Sequence, residues 1–168
     1  MMIYIVRHGE TEWNKQKKTQ GAQNIALSDV GREQAFKLGK RLEGCFIKYI
    51  YASDLDRALE TAKIIGNEIN LTPTSSPLLR EACFGTWEGL TLEQIEEKYP
   101  GQLSLWNQDM GFKAPKGESL KCVLNRVRCF IHEMMEKHTN QDDAVLIVSH
   151  ALTCKILILE LINIPMEY

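Results

Sequence analysis

The chain has 168 residues, 44% of them hydrophobic, with a formal net charge of −2, which suits one domain spanning 1–168 with a sizeable core. Near-balanced charge removes any bulk electrostatic case for nucleic acid, so an anion site has to be local. The apolar opening MMIYIV ends at Arg7, too soon for a signal peptide, and the later run 151–164 contains Lys155 and Glu160 and is too short to cross a bilayer; a soluble, cytoplasmic protein is expected.

The first predicted element is a short buried strand at 4–6. A helix over 30–43 comes next, with Val30, Ala35, Leu38 and Leu42 at helical spacing and Ser28 as its N-cap. Strand character returns at 46–53. A helix over 55–69 then puts Ala58, Ala62, Ile65 and Ile69 on one stripe. A strand within 72–79 is interrupted by Pro73 and Pro77, and the Gly-containing FGTWEG leads to a short helix from Thr91, where Thr91 and Gln94 form a capping-box pattern. Pro100 and Gly101 end that helix, and a loop carrying Trp106, Pro115 and Gly117 is expected after it.

Ser119 opens a long amphipathic helix whose core face carries Leu120, Val123, Leu124, Val127 and Ile131. AVLIVS (144–149) is the clearest buried strand, and an apolar helix comes after it. Strands alternating with helices predict an α/β fold, three layers with helices on both faces of a mostly parallel sheet.

In such sheets, ligands bind beyond the carboxyl ends of the strands. Arg7 and His8 come after the first strand, Ser53 and Arg57 after the second, Arg80 and Glu81 after the third, and His150 after the last. That set has no nucleophile elbow and no phosphate-binding Gly-Lys loop. Guanidinium forks beside imidazoles point instead to a phosphoryl group, which they match bidentately while staying charged. A neutral imidazole among cations is a nucleophile toward phosphorus, and Glu81 is the carboxylate placed to protonate a leaving alkoxide.

Other patterns carry weaker chemistry. The D-x-D of YIYASDLD (Asp54, Asp56) suggests an aspartyl phosphatase, but Arg57 stands where that scheme needs a small turn residue, so a solvated helix start is expected. His132 and His138 are six residues apart, about 120° off a shared helical face, and read as surface histidines. Five cysteines, with no C-x-x-C pair, read as buried reduced thiols, with Cys83 the one most open to solvent. GTWEG reads as a turn.

Taken together, RHGETEWN (7–14), SDLDRALETA (53–62), LREACFGTWEG (79–89) and VSH (148–150) resemble the motifs of the histidine phosphatase superfamily, the phosphoglycerate mutase-like proteins. The resemblance runs from residue 3 to about 160. It implies that His8 is phosphorylated, that Glu81 is the proton donor, and that Arg7, Arg57 and His150 hold the phosphoryl group. It also implies that Asn14, Gln20 and Gly21 line the substrate side, and that neither metal nor cofactor is used. Ala151 stands where the family usually has Gly, adding a methyl beside the site.

The chain lacks the mutases' long insertion after the acid and looks like the small phosphatase branch, which includes α-ribazole phosphatase and broad phosphomonoesterases. A small phosphorylated metabolite is the implied partner. A mutase, or a weakly active binding or regulatory member of the family, is the alternative. The resemblance implies a further strand past NIPMEY; a sheet lacking this C-terminal edge strand would expose backbone donors and apolar surface, favouring a homodimer. Trp106, Met110 and Phe112 are expected to shape the pocket.

Overall fold

The computed structural model describes residues 1–140 and 142–165. Its elements in chain order are β1 (Met2–Arg7), α1 (Glu12–Lys15), α2 (Asp29–Leu42), β2 (Tyr49–Ser53), α3 (Asp56–Ile69), β3 (Thr74–Ser76), α4 (Leu92–Lys98), α5 (Gln102–Gln108), α6 (Leu120–Lys137), β4 (Ala144–Ser149) and α7 (Ala151–Leu161). Among the described residues the sheet has the order β1-β4-β2-β3, with every pairing parallel.

The period-two alternation of the strands divides the core in two. Leu146 and Val148 of β4, Ile50 and Ala52 of β2, and Tyr4 and Val6 of β1 pack with Leu42, Ala58, Ala62 and Ile65 of α2 and α3. Val145 and Ile147, with Ile3, Ile5 and Tyr51, face the other way and meet Val123, Val127 and Phe130 of α6 and Ile156 of α7. This is the three-layer arrangement read from the sequence. All six residues of β4 are buried, which is why that segment is an unbroken apolar run.

Local chemistry sets the helix starts. The Ser28 hydroxyl accepts from Gly31 N–H at 3.1 Å and donates to Glu10 Oε1 at 2.8 Å, so the α2 cap also holds the loop after β1. Thr91 and Gln94 form the expected capping box. Ser119 caps α6 through Cys122 N–H at 3.3 Å. Asn70, in the left-handed region at φ 58°, closes α3.

Four expectations need correction. Val30 is 45% exposed rather than part of the core face of α2; it falls in the first turn, where the buried positions are Gly31 and then Ala35. The segment around Trp106 is helical (α5), with Gly101 at φ 75° starting it; a glycine followed by only seven helical residues gives little periodic signal. Pro77 starts a 3₁₀ turn at 77–79, so β3 is cut to three residues. His138 is buried, not superficial: α6 ends against β2, and its ring stacks 4.0 Å from Tyr49 with Nε2 2.8 Å from the Tyr51 hydroxyl. His132 does lie at the surface.

The partition of the core makes a stability prediction. Ile147→Ala, in a fully buried central position, should cost about 2–5 kcal/mol in denaturant unfolding, whereas Val30→Ala should change stability by no more than about 0.5 kcal/mol. Comparable losses at the two positions would contradict this assignment of faces.

Candidate active site

β1 and β4 run side by side with Arg7 opposite Ser149. The next residue on each strand is a histidine, and His8 N–H donates to Ser149 O at 2.9 Å. Parallel register therefore sets His8 and His150 beside each other, with ring centroids 5.2 Å apart. Both are buried.

His8 Nδ1 lies 2.7 Å from Gly9 O. A carbonyl accepts only, so Nδ1 carries the proton and Nε2 keeps its lone pair. Burial pushes the His8 pKa down to about 3, with Arg57 and Arg7 adding to the effect and the Gly9 carbonyl opposing it. The sequence suggested cations as the reason for a neutral imidazole; desolvation is the larger one. Gly9 fits because a Cβ there would collide with the Gly31 carbonyl of α2. Its N–H donates to Thr61 Oγ1 at 3.0 Å, and the Thr61 hydroxyl donates to Arg57 O at 2.7 Å. One threonine of α3 thus ties the exit of β1 to the first turn carrying Arg57.

The Arg57 side chain is held from the opposite side. Its Nη1 donates to Gln23 O at 2.6 Å and its Nη2 to Gly21 O at 2.7 Å, leaving Nε buried without a partner. Burial lowers its pKa to about 10, while Glu81 and Glu88 act to raise it, so it remains a cation at neutral pH. Gly21 occupies φ 55°, and a Cβ there would strike the Glu88 carboxylate. Glu88 itself accepts from Ala22 N–H at 2.8 Å, Phe84 N–H at 3.0 Å and Gln23 Nε2 at 2.8 Å. The GTWEG turn, read from sequence as simply a turn, therefore clamps the loop that aims Arg57.

His150 is fully buried with both ring nitrogens unpartnered. Burial, then the charge of Arg57, holds its pKa well below the usual histidine value. Glu81 sits at the start of α7: Oε2 accepts from Leu152 N–H at 3.2 Å, and Oε1 accepts from Ala82 and Thr153 N–H at 3.2 and 3.3 Å. The Thr153 hydroxyl lies 2.7 Å from Arg80 O and 3.2 Å from Glu81 Oε1.

One cavity of about 280 Å³ is lined by Arg7, His8, Asn14, Gln20, Gly21, Arg57, Glu81 and Ala151, with His150 beneath it. Eight of the nine sequence-predicted residues therefore line the cavity, while His150 lies beside His8 without reaching its wall. Asn14 Oδ1 accepts from Thr11 N–H at 3.0 Å, and Gln20 Oε1 lies 3.0 Å from the Thr11 hydroxyl. Lys18, Thr19, Phe84, Leu152 and Lys155 also line the cavity but were not anticipated. Their signal was proximity: the first two precede Gln20, and the last two lie within two turns of His150.

Trp106, Met110 and Phe112, expected to shape the pocket, do not line this cavity. Trp106 is buried against Phe84 and Trp87, and Phe112 packs on Trp87 at 6.4 Å. Phe84 is the aromatic that reaches the cavity. The D-x-D carboxylates are occupied: Asp54 takes a two-pronged ion pair from Arg80 at 2.6 and 2.7 Å, and Asp56 accepts from Asn24 Nδ2 at 2.6 Å. Arg80 is thereby turned away from the cavity. The cysteines are less buried than expected: Cys154 alone is buried, its thiol pushed up to about 12, while Cys129 is exposed. Among the described residues, no three His, Cys, Asp or Glu side chains gather into a metal-ligand group, and no helix is long and apolar enough to cross a membrane.

A ring nitrogen with a free lone pair, an arginine with an unused donor and a carboxylate share one concavity, and a second, buried imidazole lies beside the first. That set can bind a tetrahedral oxyanion, attack it and exchange protons with what it carries. The family model described as the histidine phosphatase superfamily (branch 1) matches residues 3–168. Phosphoserine phosphatase 1 of Hydrogenobacter thermophilus is 33% identical over 98% of this chain and 78% of its own length. A probable phosphoglycerate mutase of Erwinia tasmaniensis is 31% identical over 98% of this chain and 76% of its own. The crystal structure of a putative α-ribazole-5'-phosphate phosphatase from Escherichia coli superposes with a TM-score of 0.88 at 30% identity, covering 98% of this chain and 81% of that one.

The buried imidazoles make a pH prediction. In the unfolded chain a histidine takes up its proton near pH 6.5, while His8 in the fold stays neutral to about pH 3. The unfolded state therefore binds more protons below 6.5, and folding stability falls as the pH is lowered through this window. Between pH 6.5 and 5, His8 alone should remove about 1.6 kcal/mol. Urea unfolding should show that His8→Asn loses about this much less than the parent over the same interval. Parallel pH–stability curves for the two proteins would contradict the assignment.

Proposed function

The chain belongs to the histidine phosphatase superfamily, phosphoglycerate mutase-like, and is a hydrolase; on that premise we propose that it hydrolyses small phosphomonoesters without a metal, through a phosphohistidine on His8. The observation that carries this reading is the pairing of a buried His8, whose Nδ1 is fixed by Gly9 O, with unpartnered buried donors on Arg57 and His150. An anion of the size of phosphate would satisfy those donors, and Nε2 would face its phosphorus.

In the first step His8 Nε2 attacks phosphorus as the ester oxygen departs in line, and Glu81 gives that oxygen a proton. Arg7, Arg57 and His150 hold the phosphoryl oxygens, whose charge is best matched in the transition state. Asn14, Gln20, Gly21 and Ala151 bound the space around the group. In the second step Glu81 takes a proton from water, which attacks phosphorus and frees His8. Thr153 and the first amides of α7 fix the Glu81 carboxylate for both steps. The missing long insertion after Glu81 favours hydrolysis over transfer between hydroxyls.

Among substrates, α-ribazole 5'-phosphate is one proposal, supported by the name of the Escherichia coli relative. Phosphoserine and phosphoglycerate enter in the same way from the other relatives' names.

Release of phosphate from p-nitrophenyl phosphate, with and without chelator, tests the activity directly. Glu81→Gln should slow alkyl phosphates by about 10²-fold or more and aryl phosphates less, because a phenolate leaves with little need of a proton. Equal losses on both substrate types would remove Glu81 from the leaving-group step. Rapid interconversion of 3- and 2-phosphoglycerate with little free phosphate would overturn the hydrolase assignment in favour of a mutase.

A further inference from the structure

We propose that the same cavity carries a second anion subsite, formed by Lys18 and Lys155, which takes an acidic group on the leaving-group portion of the substrate; the proposal rests on the phosphatase reading above. The cavity lining holds four cations, Arg7, Lys18, Arg57 and Lys155, against one carboxylate, Glu81. A phosphoryl dianion is matched by the two guanidinium groups. Two ammonium charges are then left over, in a chain whose overall charge is slightly negative.

These lysines enter from different parts of the chain. Lys18 belongs to the segment between α1 and the Gln20–Gly21 turn, and its Nζ lies 5.9 Å from the centre of the Trp13 ring. Lys155 lies in the second turn of α7. It also lines an adjoining cavity of about 390 Å³ with Trp106, Leu120, Leu152, Ile156 and Leu159, so its stem runs along an apolar wall towards the shared rim.

Neither lysine has an ion-pair partner among the described residues, whereas Lys15, Lys40 and Lys48 are each paired with acids. Glu160, the other charged residue of α7, is taken by Arg128 at 2.6 Å. Both lysines border the cavity that holds His8 and Glu81, and an uncharged alcohol would leave both without a partner. A carboxylate a few bonds from the ester oxygen would meet them, and the cavity's net positive field would draw such a substrate in.

Calorimetric binding of 3-phosphonopropionate and propylphosphonate, which differ in a carboxylate against a methyl, tests this without requiring turnover. At low ionic strength the carboxylated phosphonate should bind roughly tenfold more tightly, the scale of two half-exposed ion pairs acting together. In Lys18→Gln/Lys155→Gln that ratio should fall to about two or less, while Lys17→Gln, an exposed lysine outside the cavity lining, should keep it. Equal affinities in the parent, or a ratio retained in the double variant, would overturn the subsite and leave the phosphatase reading standing. Binding of neither phosphonate would overturn both.

Discussion

The site depends on the parallel pairing of β1 with β4. Each strand ends one residue before a histidine, and the register that sets Arg7 opposite Ser149 makes those two histidines neighbours. Nothing in either segment alone requires this. A slip of one residue would turn every side chain of β1 to the other face, moving Ile3 and Ile5 out of one core layer and Tyr4 and Val6 out of the other. The hydrophobic alternation that fixes the sheet therefore fixes the distance between His8 and His150. Their placement is a by-product of core packing.

The second requirement is to hold charge in a desolvated place. Two imidazoles and a guanidinium are buried together, and burial itself keeps the rings neutral. The guanidinium is retained as a cation by two backbone carbonyls of the 21–23 turn and by the field of Glu81 and Glu88. What remains unsatisfied is Arg57 Nε and both nitrogens of His150. A buried donor without a partner costs free energy, and an oxyanion accepting from Arg57 Nε and from the one N–H of a neutral His150 would offset that cost.

Much of this was legible in the sequence because strand ends are marked by abrupt changes from apolar to polar residues. Within four residues of YIV, YAS and AVLIVS stand His8, Arg57 and His150, and a parallel α/β pattern brings such strand ends to one edge of the sheet. The features that escaped notice depended on long-range packing. Glu88 looked like part of a turn because its partners, Ala22 and Gln23, are distant in sequence. His138 looked superficial because only the docking of α6 against Tyr49 and Tyr51 buries it. Trp106, expected to shape the pocket, packs against Phe84 and Trp87 in the core and borders the adjoining cavity, a placement that long-range packing decides. Lys18 and Lys155 carried no local mark, since a surface lysine gains meaning only from the cavity it borders.

The proposed chemistry turns on a covalent bond between His8 Nε2 and phosphorus. Rapid acid-free quenching of the protein with a ³²P-labelled phosphomonoester, followed by peptide mapping, tests it most directly. The expected result is transient label that is lost in acid, survives alkali and maps to the peptide containing His8, with none in His8→Ala. Label of the same character on His150, or undiminished turnover by His8→Ala, would contradict it.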